Sequence, residues 1–487
     1  MGGCAERQEW VDTGRVTEST PPRWRTALWR GETAPIPAVR TPTSAVYPRR
    51  TPKEDEVLAA VDQAAQLSLR IGTLLLAGGA PTEDVEAAIF AAGSALGLET
   101  FEVDITYNSI VISIPPSGGL PGLTDMRVVR GRSTHYARIA EAHQLVLDLA
   151  EGRVPPGDVE TRLARIEDLR RPYPRWFVIT AFGALSAAIT VQLGGELQTG
   201  VVAFVTASIA GFVGNRMATR RVSSFFINLA LALFSTLVAV SLTDADIKVK
   251  SSLVIVGGII ALLPGMSLMV AAQEAIRSFA VTAAARLVEL TVSTIGIVVG
   301  VLFGLTIANE FDITMSITVR TGNSPGTTTT TVLAAAVASI AAAVTYQSPK
   351  RLVLVGGLIG AFGILLSTIA DPWITSPGAL TAIPAVAIGV ASRLIGVRMQ
   401  VPTVLVTVPA IIPLLPGLAV YQGLLILSQD DDPTKGIGYL VEATSIAIAL
   451  AAGVLLGQSI GARLAPDSAL VTGIRRSLPP RAPGTRH

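Results

Sequence analysis

The chain has 487 residues, of which 50% are hydrophobic and 15% charged, with a formal net charge of +2. That composition excludes an ordinary soluble globular protein and commits much of the surface to lipid. So small a charge, with no basic stripe, points away from nucleic acid, and the single cysteine, Cys4, excludes an internal disulfide or a Cys-rich metal site.

Residues 1–52 are rich in Pro, Arg and Thr without a hydrophobic period, which reads as a disordered cytoplasmic tail. No signal-peptide core precedes it, so nothing is expected to carry it across a membrane. Residues 53–175 read as a small cytoplasmic α+β domain. VLAAVDQAAQLSLRIGTLLLAGGA has helical spacing and stops at Gly78-Gly79. PTEDVEAAIFAAGSALGL is a second helix, with Thr82 as the expected N-cap and acids in its first turn. FEVDITYNSIVISI reads as two strands around Tyr107-Asn108 and MRVVRG as a third, followed by helices in HYARIAEAHQLVLDLAEG and PGDVETRLARIEDLRR. Asp104, Thr106, Asn108, His135 and His143 are the polar residues an enzyme could use here. No nucleophile motif, metal-ligand spacing or phosphate loop accompanies them, so neither enzymatic activity nor a metal or other cofactor is expected.

From Trp176 onward the chain becomes apolar runs long enough to cross roughly 30 Å of hydrocarbon as helices. Ten spans are expected, near residues 176–193, 198–215, 222–242, 251–272, 285–308, 327–346, 351–370, 377–395, 401–427 and 439–461. Arginines and lysines fill every second gap, with Arg216, Arg277, Lys350, Arg398 and Arg463 among them. The other gaps are mainly acidic. Both termini, including the tail at 463–487, are therefore expected in the cytoplasm.

IIALLPGMSL, starting at residue 259, returns as IIPLLPGLAV at residue 411. LVELTVSTIGIVVGVLFG, from 287, returns as LVEATSIAIALAAGVLLG from 440, with half of the positions identical. The membrane part thus reads as a five-helix unit at 176–308 and a second at 327–462. An odd number of spans inserts the copies oppositely, the inverted repeat typical of secondary transporters. The fold expected is a mostly α membrane protein with ten helices in a 5+5 inverted repeat, behind the α+β domain.

Pro264-Gly265 and Pro416-Gly417 interrupt matched spans. A proline removes one N–H and disrupts the preceding turn, and lipid-exposed backbone breaks are not tolerated in hydrocarbon. The half-helix that starts at each break would aim its N–H groups and positive dipole end into a shared cavity suited to a carboxylate. Ser267, Tyr421 and Gln422 follow the breaks and complete the expected substrate-binding set. Glu289 and Glu442 are repeat equivalents and candidates for coupling or for binding an ammonium group. Their alternative is a hydrated position near an interface. Asn228 and the GVLFG and GVLLG motifs read as interhelical packing.

LLLAGGAPTEDVEAAI and FEVDITYNSIVISI, followed by ten spans with PGMSL and LLPGLAVYQG at their breaks, resemble the bacterial threonine/serine exporter family from about residue 55 to 462. The resemblance implies L-threonine and L-serine as substrates, protons as the coupling ion, and a multi-pass place in the bacterial plasma membrane. A homo-oligomer is compatible with it. Export of another small carboxylate, such as a dicarboxylate or dipeptide, is the competing reading, and a membrane-anchored hydrolase or sensor a more distant one.

Overall fold

The computed structural model describes residues 51–117, 121–131, 134–244, 251–259, 262, 265–311, 328–429 and 433–465. Almost all of the expected N-terminal tail, most of the C-terminal one, Pro264 and Asp430 to Asp432 lie outside them.

The N-terminal portion opens with α1 (Pro52–Gly78) and α2 (Thr82–Ala95). Strands β1 (Glu102–Thr106), β2 (Ser109–Ile114) and β3 (Leu123–Val128) form an antiparallel sheet in that order, and α3 (Tyr136–Ala150) and α4 (Pro156–Glu167) follow. Thr106 pairs with Ser109, so Tyr107 and Asn108 make the tight turn that their place between two β-branched runs predicts. The third strand starts earlier than expected because Leu123 already pairs with Ile114. Ile110 and Ile112 alternate inward from β2 and are fully buried.

Among the described residues, eight helices are long and apolar enough to cross a membrane. They are α5 (Arg175–Gln192), α6 (Leu197–Thr219), α7 (Ser224–Asp244), α10 (Ala280–Glu310), α11 (Thr328–Thr345), α12 (Lys350–Ala370), α13 (Pro377–Met399) and α16 (Pro433–Leu464). The ninth expected span is instead divided into α14 (Val404–Ile411) and α15 (Gly417–Gln429), bent by 47°, and of the fourth the described residues form α8 (Ser251–Ile259) and α9 (Gly265–Ile276). Both α10 and α16 start before the expected limits. At 31 and 32 residues they are about 46 to 48 Å long, well beyond the ~30 Å of hydrocarbon.

Helix partners recur along the chain. The pairs α5 with α6, α7 with α10, α6 with α8 and α9 with α10 are matched by α11 with α12, α13 with α16, α12 with α14 and α15 with α16. Helices α5 and α11 also pack on each other. Glycines permit the closest approaches. A Cβ on Gly304 would lie 2.7 Å from Thr236, and one on Gly453 would lie 2.7 Å from the Cβ of Ala385. Asn228 spans the α7/α10 contact by donating to the Ser293 hydroxyl. The described residues from Glu54 onward form one compact unit.

A Cβ on Gly457 would meet the backbone of Val390 at 2.9 Å. Gly457→Val should therefore cost about 1–3 kcal/mol through overpacking. Leu456→Ala, at an exposed neighbour, should change little. Thermal unfolding of both variants in detergent tests the contrast; equal melting temperatures would refute it.

Candidate functional site

The break at 412–416 follows from its prolines. After α14 the chain makes a single 3-10 turn at Ile412–Leu414, and Leu415 then turns extended (φ −70°, ψ 141°). Pro416 forces that conformation on the residue before it and has no N–H to continue the ladder. In an unbroken helix the Pro413 carbonyl would accept from the N–H of Gly417. Here Gln192, the last residue of α5, donates its Nε2 to that carbonyl at 2.9 Å.

The starts of α9 and α15 meet. A Cβ on Gly265 would sit 3.0 Å from the Gly417 nitrogen, 3.2 Å from its Cα and 3.2 Å from the Leu415 Cβ. The N-termini of α9 and α15 therefore abut, and their free N–H groups and positive dipole ends converge. Beside them lies a cavity of about 110 Å³ lined by Gly265, Gly417, Gln192, Leu193, Met266, Tyr346 and apolar residues of α5 and of the 412–418 segment. The Gln192 Oε1 atom is buried without a hydrogen-bond partner among the described residues. The site thus offers donors for an anionic group on one side and an acceptor for a cationic group on the other.

The predicted residues are distributed unevenly around this cavity. Gly265 and Gly417 line it, and Pro416 is buried at the bend between them. Pro264 lies outside the described residues. Ser267 is half-buried on the first turn of α9, while Tyr421 and Gln422 are buried on α15; none of the three is a lining residue. Tyr421 packs instead into an apolar cluster with residues of α7, α8 and α10. Glu289 is exposed and accepts a hydrogen bond from the Tyr107 hydroxyl of the β1–β2 turn. Glu442 is half-buried on α16, in the part that precedes the GVLLG glycines. The structure does not bring either acid to the breaks. Gln192 and Tyr346 were not anticipated. The offset relating residue 287 to 440 also relates Leu193 to Tyr346, and that pairing could have revealed the two lining residues.

The N-terminal portion docks on the membrane helices through helix ends. Thr82 is not the N-cap of α2; Pro81 is. The Thr82 N–H and hydroxyl both donate to Glu274 Oε1 near the end of α9, at 3.2 and 2.9 Å. A carboxylate from another element thus takes the place of the missing cap. Glu274 is 2% exposed, with Arg286 3.8 Å away, and Arg277 pairs with Glu83 at 2.6 Å. At the start of α3, the N–H groups of Tyr136 and Ala137 donate to the Tyr346 and Gln347 carbonyls past the end of α11, at 3.1 and 3.0 Å. The Tyr136 and Tyr346 rings stack, with centroids 5.3 Å apart. Tyr346 therefore touches both the cavity and the N-terminal portion.

These observations define a multi-pass membrane protein in which the starts of α9 and α15 meet beside a cavity. A family model for threonine/serine exporters matches residues 66–308, and a second, described as "Threonine/Serine exporter, ThrE", matches residues 331–460. The chain is 30% identical over 406 residues, 82% of its length and 76% of the relative's, to a "Probable threonine/serine exporter" of Mycobacterium tuberculosis. It is 29% identical over 448 residues to a "Threonine/serine exporter" of Corynebacterium glutamicum, covering 90% of each chain. A "Probable succinate transporter subunit YjjP" of Escherichia coli is 26% identical over 244 residues, 50% of this chain and 93% of that one. No solved structure matches the chain significantly. The chain belongs to the threonine/serine exporter family.

Removing the buried partner of a docked helix end has a measurable consequence. Glu274→Ala leaves the Thr82 donors and Arg286 without their carboxylate, a loss of about 3–5 kcal/mol for a broken buried charge pair. Tryptic cleavage at the exposed Arg170-Arg171 connection should accelerate at least severalfold. Unchanged cleavage would mean that Glu274 does not secure the N-terminal portion.

Proposed function

We propose that the protein exports L-threonine and L-serine across the bacterial plasma membrane, driven by the proton motive force. The observation that carries the reading is the convergence of Gly265 and Gly417 beside a cavity with an unpartnered acceptor, in a chain of the exporter family. The substrate carboxylate meets the N–H groups that follow Pro264 and Pro416, and its ammonium meets Gln192 Oε1. Ser267, Tyr421 and Gln422 support these half-helices from behind. The two divided spans complete a set of ten, arranged as two oppositely inserted units of five. The sequence repeat and the matching helix partners support that arrangement. Arginine and lysine at alternate connections support cytoplasmic termini and a cytoplasmic N-terminal portion. Rocking of one unit against the other then exposes the cavity to each side in turn.

Glu289 and Glu442 remain the acids proposed to serve coupling. Glu→Gln at both positions should abolish dependence on the proton gradient; unaltered dependence would release them from that role.

A second reading, export of a small dicarboxylate, is favoured by the similarity of half the chain to a succinate transporter subunit. A helix terminus that accepts one carboxylate serves both readings. Proteoliposomes loaded with labelled threonine or succinate separate them. Threonine efflux should exceed succinate efflux and fall on adding an uncoupler, and Gln192→Leu should lower it at least about tenfold, roughly 1.4 kcal/mol. Faster succinate efflux would replace the first reading with the second, and efflux indifferent to the uncoupler would remove proton coupling.

A further inference from the structure

The small sheet of the N-terminal portion has two edges of opposite character. In an antiparallel ladder, alternate residues turn their N–H and C=O groups toward the neighbouring strand and the rest turn theirs away. The Met126 N–H donates to the Asp125 Oδ1 atom at 2.8 Å rather than to β2, so Thr124, Met126 and Val128 present their main-chain groups to the outer edge of β3. No further strand pairs with that edge among the described residues. Met126 is 57% exposed and Val128 44%, although neither belongs to a membrane helix. Outward main-chain groups beside exposed apolar side chains are a template for another strand. We propose that β3 is a self-association edge, on which β3 of a second copy of this chain pairs antiparallel about Met126.

The strand is complementary to itself. Turned end for end about Met126, it sets Asp125 opposite the partner's Arg127 and Arg127 opposite the partner's Asp125. The same register brings Met126 against its own copy and Thr124 against Val128, on the other face of the strand. It is also a hydrogen-bonded register, because these last residues are the ones whose main-chain groups point outward. The Arg127 side chain has no ion-pair or hydrogen-bond partner among the described residues. Asp125 is half-buried and covers the N–H of its neighbour. Pairing exchanges that contact for a main-chain bond between the two Met126 residues and gives the carboxylate to the arginine opposite.

The other edge lacks this property. The middle residue of β1 is Asp104, and pairing two β1 strands about it would set like charges against each other, which is destabilising. On the sheet face turned away from Ile110 and Ile112, Asp104 and Thr106 stand on β1, Val111 on β2, and Met126 and Val128 on β3. Apolar side chains thus gather toward the β3 edge. One strand pair is a small interface. Confinement of both chains to one bilayer raises their effective concentration, as a linker would. This association does not depend on which substrate the membrane helices carry.

The test uses the full chain, in membrane vesicles for cross-linking and in liposomes for association. With Cys4→Ser as background, Met126→Cys should give a disulfide-linked dimer on mild oxidation, because opposed residues of a bonded pair lie about 5.5 Å apart at Cα, within disulfide range. Asp104→Cys, exposed on the opposite edge, should stay monomeric. Asp125→Arg should raise the protein density in lipid at which half of the chains pair, read by energy transfer between labelled copies, at least about tenfold. Arg127→Asp should do the same, and the two changes together should restore pairing, since each strand again faces its complement. An unlinked Met126→Cys chain would overturn the proposal, as would single charge variants that associate like wild type, or a double variant that associates no better than either alone. A linked product of any mass other than twice the chain's would give the edge to a different protein. In a chain that keeps Cys4, a link from Met126→Cys to Cys4 of the same chain would give it to the N-terminal tail; either result overturns the self-pairing.

Discussion

Every backbone N–H and C=O placed in an apolar medium needs a partner, and that requirement governs this molecule from the breaks outward. Pro416 removes one donor and frees the Pro413 carbonyl. The fold answers with the side chain of Gln192 from another helix. The N–H groups at the starts of α9 and α15 have no such helical partner and gather at a cavity instead. The same groups that would be a liability against lipid are the ones proposed above to recognise the substrate carboxylate.

The same accounting explains how the N-terminal portion is held. Helix α2 begins at Pro81 without a side-chain cap, and Glu274 supplies the acceptor from the end of α9. Helix α3 begins by donating to carbonyls just past the end of α11. One helix start is thus attached to the end of α9 and the other to the residues just past α11.

The parts most legible in the sequence were those governed by local period and by repetition. Long apolar runs gave the helices near their observed limits, and the Tyr107-Asn108 turn between β-branched runs gave the hairpin. The copy at 411 marked the break between α14 and α15, and in its partner at 259 Pro264 lies outside the described residues. Long-range partners were not legible. Thr82 looks like an N-cap because its neighbours are those of one, but its hydroxyl is taken by a glutamate 192 residues away. Gln192 ends an ordinary span and becomes important only when α14 and α15 bring Pro413 beside it. Asp84 reads as a first-turn acid serving a helix dipole, and nothing local reveals that Arg277 lines the same small space.

The close approach of Gly265 to Gly417 couples the histories of two distant codons. A methyl group at the first presses on main-chain atoms at the second, which cannot retreat by changing a rotamer. Drift at either place is consequently restrained by the other. A gene that carried one half alone would be released from that restraint, and a side chain appearing at this glycine would record the separation.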